Sequence, residues 1–424
     1  MKNLNRRQFG SLIGASAAAL TIPLKSAAQS KPGVVVIGGG AAGATAARYI
    51  AKDAGADIDV TLISASDTYT SCFFSNLYLG DFRSFDSITH RYDKLSANYG
   101  VNVVIGMATE VDRAAKLIKL EDGRSVSYDR LVVAPGIDMN YDSLPGYSVQ
   151  DASIAPHAWQ AGPQTQLLKS KLDALQNGEN IVVVPPVNPY RCPPGPYERV
   201  SMIAHVSKTR GLNDSRIIII DPKPKFSKQA LFQEGWETHY NGMVEWYGPD
   251  VHGGIVNVDA SAGIVETDLD EFEGALLNII PAQKAGAIAF AAGLTNDTGY
   301  CPIDASTMRS TVDENVFVIG DACIAGAMPK SGFSANSQAK VAAMVIRGDL
   351  TGSRVSPAKY SNICWSLIAT EDGVKVGAQY AAVEGEIAST STFISETGED
   401  AGVRKTTYEE SLGWYIGITS DIFG

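Results

Sequence analysis

The sequence predicts an α/β protein built around Rossmann-like dinucleotide-binding units, and three stretches carry that expectation. Residues 34–50, "VVVIGGGAAGATAARYI", run from an apolar strand through Gly38-x-Gly40-x-x-Gly43 into a helix of small residues. In this pattern Gly38 turns the chain tightly, Gly40 lets backbone amides approach a pyrophosphate, and Gly43 lets helix and strand pack closely. Residues 311–321, "TVDENVFVIGD", read as a strand closing on Gly320-Asp321, after which "PKSGFSANSQAKVAAMVI" opens a second helix. Between them "NIVVV", at 180–184, supplies the opening strand of another unit.

At 424 residues, with 45% hydrophobic and 19% charged residues, the chain describes a folded protein of two or three domains. Its first 28 residues stand apart. Arg6-Arg7-Gln8-Phe9 precede an apolar run from Leu12 to Leu24, then Lys25 and the small residues Ser26, Ala27 and Ala28. That order is an export signal, too short to span a bilayer, and the arginine pair resembles the twin-arginine route, although Asn5 replaces the usual Ser or Thr. The mature chain is expected to begin near Gln29, outside the cytoplasm, in the periplasm. Removing the signal takes the formal charge from −11 to −15. Such an acidic protein does not suit nucleic acid, and its charge favours docking of a basic partner.

The cysteines are Cys72, Cys192, Cys301, Cys323 and Cys364, an odd number for an oxidising compartment, so at least one is left outside any internal disulfide. No CxxC or CxxCH occurs, which excludes a c-type haem on this chain and argues against zinc. The five histidines, His90, His157, His205, His239 and His252, are scattered and read as structural, so no metal site is expected.

The segment closing on Gly320-Asp321 resembles the second FAD signature of the two-domain flavoprotein reductases, in which the aspartate holds the ribityl chain. "LVVAPG" at 131–136, ending in Gly136, resembles the segment where such chains cross between domains. The resemblance implies FAD as the bound nucleotide. It also implies a helix N-terminus near Ser334 to Asn336 directed at the flavin, with Lys330 and Ser334 as further cofactor-binding candidates. The strand "DVTLIS" ends in Ser64 where an acid should bind the adenosine ribose, with Asp67 three residues on, so Ser64 or backbone groups are expected to make that contact. The implied architecture is a FAD domain split into residues 31–145 and 284–354. A second Rossmann-like domain is inserted at 146–283, and a C-terminal α+β domain follows at 355–424.

The inserted domain departs from the pyridine-nucleotide pattern. After "IVVV" the chain reads "PPVNPYRCPPGPYERV", with Gly195 the one glycine where GxGxxG is needed. Proline has no N–H to cradle a pyrophosphate and its ring blocks approach. NADH is therefore not expected as electron donor, and Cys192, flanked by Arg191 and Glu198, takes the turn's place.

Here the chain resembles the flavoprotein subunits of flavocytochrome c sulfide dehydrogenases, through "YTSCFFSN", "RCPPGPYER", "CPID", "GDACIAGAMPKSGFSANSQ", "NICWSLIA" and "GWYIGITSDIFG". The resemblance covers essentially the whole mature chain. It implies FAD joined through its 8α-methyl to Cys72, and a redox disulfide between Cys192 and Cys364 that hydrosulfide opens. It further implies Glu198 as a proton-handling group, Trp414 near the flavin, and a separate mono- or dihaem cytochrome c subunit as electron acceptor. Cys301 and Cys323 are assigned to packing. A sulfide:quinone oxidoreductase would need an apolar or amphipathic C-terminal surface, and the tail "TYEESLGWYIGITSDIFG" shows no such helix pattern. An NADH-dependent disulfide reductase is opposed by the missing glycine turn, and a non-catalytic flavin-binding protein by the cysteine pair.

Overall fold

A computed structural model describes residues 31–424, so the export-signal reading of residues 1–28 lies outside the described residues. The apolar runs become parallel strands because they are buried on both faces: Val34, Val36, Leu62, Leu131, Val132 and Val133 are all fully buried. The resulting five-stranded parallel sheet has the order Val316–Val318, Arg130–Val133, Gly33–Ile37, Asp59–Ser64, Asn102–Ile105. Only Val316–Val318 of the stretch 311–321 is strand, because the Asp313 carboxylate accepts the Asn315 N–H at 2.9 Å and turns the chain just before it.

The helices Ala41–Ala54 and Gly332–Thr351 pack against each other through alanines, with Ala44, Ala46, Ala47, Ala339 and Ala342 fully buried. Side chains this small let the two helices approach closely, and both N-termini then lie at one end of the sheet, where Asn336 Nδ2 donates to Thr45 Oγ1 at 3.1 Å.

The chain leaves this sheet along Ile137–Asn140 and returns along Ala282–Ala285, two strands that pair antiparallel. Between them lies a four-stranded parallel sheet, ordered Val244–Tyr247, Ile217–Ile220, Ile181–Val184, Leu276–Ile279. The long antiparallel strands Lys359–Ala369, Asp372–Val383 and Glu386–Ile394 follow, covered by the helix Ala401–Phe423.

That last helix corrects the sequence reading of the tail. It spans 23 residues and buries Arg404, Thr407, Ser411, Tyr415, Ile418 and Ile422, a single face at helical spacing. The pattern was hidden because half of that face is polar. Arg404 Nε pairs with Asp372 Oδ1 at 2.5 Å, and the Asp400 carboxylate caps the helix by accepting the Gly402 N–H at 2.7 Å. Among the described residues no helix is long and apolar enough to cross a membrane.

Candidate active site

Two adjoining cavities meet at Cys72. The first is a groove along the end of the five-stranded sheet, lined by Gly38, Gly39, Gly40, Ser64, Tyr69, Cys72, Gly136, Arg191, Gly320 and Asp321 among others. Gly38 has φ +104, and a Cβ there would stand 2.2 Å from the Ala134 carbonyl oxygen. A Cβ on Gly43 would stand 1.9 Å from the Gly38 oxygen, so Gly43 serves the helix–strand contact and does not itself line the groove. Gly40 caps the helix Ala41–Ala54 without any side-chain bond, leaving its first amides turned toward the groove. Asp321 Oδ1 is buried with no hydrogen-bond partner among the described residues, while Oδ2 lies 3.6 Å from Arg191 Nη1. A glycine cradle that a Cβ would fill and an orphaned carboxylate oxygen facing it fit the pyrophosphate and ribityl hydroxyls of FAD.

Other nucleotide-side expectations shift. Ser64 lines the groove, but its hydroxyl already bonds the Ser66 carbonyl at 2.8 Å and the Tyr92 hydroxyl at 3.1 Å. Asp67 is exposed and pairs with Arg91 at 3.4 Å. The second helix starts earlier than expected, at Gly332, because the Ser331 hydroxyl accepts the Ser334 N–H at 3.0 Å. Ser331 and Gly332 therefore line the groove, and Ser334 is buried in the first turn behind them. Lys330 also lies off the groove. Its Nζ donates to the carbonyls of Asp321 and Cys323, both at 2.8 Å, so it braces the turn that presents Asp321.

Six aromatic residues, Phe73, Phe74, Trp159, Phe333, Trp365 and Trp414, line the second cavity together with Cys72, Cys192, Glu198, Arg199 and Cys364 among others. Trp414 comes from the C-terminal helix and stacks on Phe333, with ring centroids 6.2 Å apart. Cys192 and Cys364, 172 positions apart in the chain, thus share one cavity. No disulfide joins any of the five cysteines in this structure.

The proline loop explains how Cys192 is held. It occupies the ten residues between Val184 and the helix Gly195–Thr209, and it places Cys192 at φ +57. The Cys192 N–H donates to the Lys330 carbonyl at 2.8 Å, and its own carbonyl accepts the Gly195 N–H at 2.7 Å. Gly195 is the residue the loop cannot replace, since a Cβ would stand 2.9 Å from Cys192 Sγ and 2.8 Å from the Trp159 ring. Asp221, placed after Ile220 where an acid would face a ribose, is fully buried and accepts from Tyr197, Trp246 and Lys223.

Glu198 sits in the first turn of its helix. Its Oε1 accepts the Leu367 N–H at 3.0 Å and its Oε2 accepts Asn76 Nδ2 at 2.9 Å. Burial raises its pKa above the ordinary carboxylate value, and the bond from Asn76 opposes that rise. Burial likewise pushes the Cys192 thiol well up, helped by negative charge at Cys364 and Glu198. Burial also raises Cys364, opposed by the Asn362 side chain and the charge of Lys228.

Sequence reasoning missed three polar residues of this site. Arg199 is almost wholly buried, donates to Asn76, Asn278 and the carbonyls of His157 and Ala158, and stacks on Trp159. Asn76 bridges Glu198 and the Gly195 carbonyl. Lys228 reaches the strand carrying Cys364. Arg199 and Asn76 stand inside the diagnostic strings "RCPPGPYER" and "YTSCFFSN", which was the available signal; Lys228 had none.

Three protein-family models match the chain. "Sulfide dehydrogenase [flavocytochrome c] flavoprotein chain, central" covers residues 165–281, "Flavocytochrome c sulphide dehydrogenase, flavin-binding" covers 356–423, and "Pyridine nucleotide-disulphide oxidoreductase" covers 32–184. Among curated proteins, the chain is 28% identical over 182 residues to a sulfide-quinone reductase of Aquifex aeolicus, covering 42% of this chain and 40% of that one. It is 21% identical over 300 residues to the mitochondrial sulfide:quinone oxidoreductase of Mus musculus, covering 68% of this chain and 65% of that one. The matches thus span less than two thirds of either relative. The solved sulfide:quinone oxidoreductase of Aquifex aeolicus superposes with a TM-score of 0.69 at 16% identity, over 92% of both chains, a likeness of fold.

Proposed function

From the premise that the chain belongs to the flavocytochrome c sulfide dehydrogenase flavoprotein family, we propose that it oxidises sulfide with the Cys192 and Cys364 pair beside bound FAD. The observation that carries this reading is the shared cavity: two distant cysteines line an aromatic chamber that meets the nucleotide groove at Cys72.

The chemistry begins with the pair oxidised. Hydrogen sulfide has a first pKa near neutrality, so hydrosulfide is present without a catalytic base. It attacks one sulfur of the disulfide, a new S–S bond forms, and the old bond's electron pair leaves on the other cysteine as thiolate. A second hydrosulfide attacks the outer sulfur of the persulfide, releases a disulfane unit and leaves the second cysteine as thiolate. Two sulfides have then joined, and the pair holds two electrons. Glu198, between the Asn76 amide and the Leu367 N–H, is the group placed to hold or yield a proton beside this exchange. The aromatic wall keeps the thiolates away from bulk water.

Gly38, Gly40, Gly136, Gly320 and Asp321 would hold FAD, which would supply a two-electron acceptor for the reduced pair. We further assign Cys72 as the covalent attachment point, supported by its place where the two cavities meet. Since the sequence has no CxxCH, the onward acceptor in this reading is a separate cytochrome c subunit, and this chain is exported to the periplasm by the twin-arginine route. A quinone acceptor is the second reading, favoured by the curated relatives. Stopped-flow reduction of Cys192→Ser by sulfide tests the mechanism. The flavin spectrum is expected to persist while reduction fails, and undiminished reduction would sink the cysteine-pair reading.

A further inference from the structure

Lys228 is a buried cation whose hydrogen-bond partners are all neutral. It is 5% exposed, and its Nζ donates to Ser366 Oγ at 2.8 Å, the Cys364 carbonyl at 3.1 Å and the Val374 carbonyl at 3.4 Å. The Phe232 ring lies below it, 5.8 Å from Nζ to centroid. Its backbone has φ +63, the left-handed region that a non-glycine residue enters at a cost, where it caps the helix Gln229–Tyr240. Burying an ammonium against neutral oxygens alone costs several kcal/mol unless negative charge arises nearby. The charges that would favour its own are those of Cys364, Glu198 and Cys192, and Arg404 opposes them.

We propose that Lys228 is a positioning residue whose charge holds the negative charge of disulfide opening on Cys364, so that hydrosulfide attacks Cys192 and Cys364 leaves as thiolate. This rests on the reading that Cys192 and Cys364 cycle through a disulfide. In the step, the sulfide sulfur bonds to Cys192 Sγ, the Cys192–Cys364 bond breaks, and its electron pair goes to Cys364 Sγ. Lys228 bonds the Cys364 carbonyl and the Ser366 hydroxyl, which stands on the same strand face as the Cys364 side chain, and makes no hydrogen bond to the Cys192 loop, so its field stabilises the two thiolates unequally.

The other groups around the pair do not supply this bias. Glu198 disfavours a thiolate on both cysteines. Arg199 and Arg191 favour charge at Cys192 and so work against it, Tyr380 disfavours charge at Cys364, and Cys72 adds to the burden on Cys192. Asn362 Nδ2, 3.3 Å from Cys364 Sγ, reinforces the same choice by hydrogen bonding. Lys228's own pKa is lowered to about 8 by burial, against the pull of Cys364, Glu198 and Cys192, so it is charged at neutral pH.

The test uses FAD-loaded protein reduced with dithiothreitol, alkylated with iodoacetamide across a pH series, with Cys192 and Cys364 quantified separately by mass spectrometry. In Lys228→Met the alkylation rate of Cys364 below pH 8, where wild-type Lys228 carries its charge, should fall by about tenfold, with a smaller change at Cys192. Lys228→Gln keeps a hydrogen-bond donor without charge and should behave the same, which covers failure of the methionine variant to fold. Lys228→Arg should restore the wild-type profile. An unmoved Cys364 profile in the neutral variants, or one moved equally by arginine, overturns the proposal. Trapping after one equivalent of sulfide on oxidised wild type should place the persulfide on Cys192; a persulfide on Cys364 also overturns it. Oxidised protein that takes up no sulfide refutes the sulfide reading, and the alkylation profiles, which need no sulfide, still decide the role of Lys228.

Discussion

Acid should loosen the wall of the cysteine cavity through one residue, His157. It is 3% exposed, and burial, reinforced by the charges of Arg199 and Arg191, pushes its pKa from 6.5 down to about 4. Its Nδ1 accepts the Trp159 N–H at 2.9 Å, so the neutral ring is the form the fold requires. Above pH 6.5 the folded and unfolded chains both carry neutral His157 and the residue adds no pH dependence. As pH falls from 6.5 toward 4 the unfolded chain binds a proton that the folded chain refuses, and stability declines. At about 1.36 kcal/mol per pH unit this amounts to about 3 kcal/mol by pH 4. Guanidinium unfolding of wild type and His157→Gln, followed by tryptophan fluorescence at several pH values, measures it. The variant starts about 1–2 kcal/mol less stable at pH 7, having changed the acceptor for the Trp159 N–H, yet loses about 3 kcal/mol less on acidification. Equal slopes for the two proteins between pH 6.5 and 4 would refute the reasoning. Trp159 lines the cavity and Arg199 bonds the His157 carbonyl, so the same titration should lower sulfide turnover at acid pH.

Three further outcomes are expected. Gly195→Ala forces a methyl against Cys192 Sγ and Trp159, so sulfide reduction of the flavin should slow by at least about tenfold while FAD content holds; stopped-flow kinetics and flavin absorbance read the two separately. Gly43→Ala separates helix from strand beneath the cradle, and the purified variant should contain little FAD. Cys72→Ala should leave FAD that acid precipitation releases into the supernatant; yellow colour retained in the pellet would refute attachment at Cys72.

The sequence exposed those parts of the site that need a special backbone or a rare string. Gly38 announces the groove because no other residue suits a turn at φ +104 with the Ala134 carbonyl pressed against it. The proline loop announced itself by what it displaced, and it does carry Cys192 into a chamber shared with Cys364. Paired polar residues stayed hidden. Arg199, Lys228 and Arg404 are buried because tertiary partners satisfy them, some more than a hundred positions away, and apolar periodicity carries no trace of such partners. The C-terminal helix was missed for that reason, its inward face carrying Arg404, Thr407 and Ser411. Lys330 and Ser334 stand off the groove for local reasons: Lys330 bonds the Asp321 and Cys323 carbonyls, and the Ser331 cap starts the helix at Gly332, two residues ahead of Ser334.

The most direct test of the central claim is an anaerobic titration of the purified protein, adding NADH first and sulfide second while following the flavin absorbance band. The account predicts no change with NADH, since prolines fill the phosphate turn and Asp221 is already bonded, and full bleaching with sulfide. Bleaching by NADH would contradict it and make the chain a pyridine-nucleotide reductase.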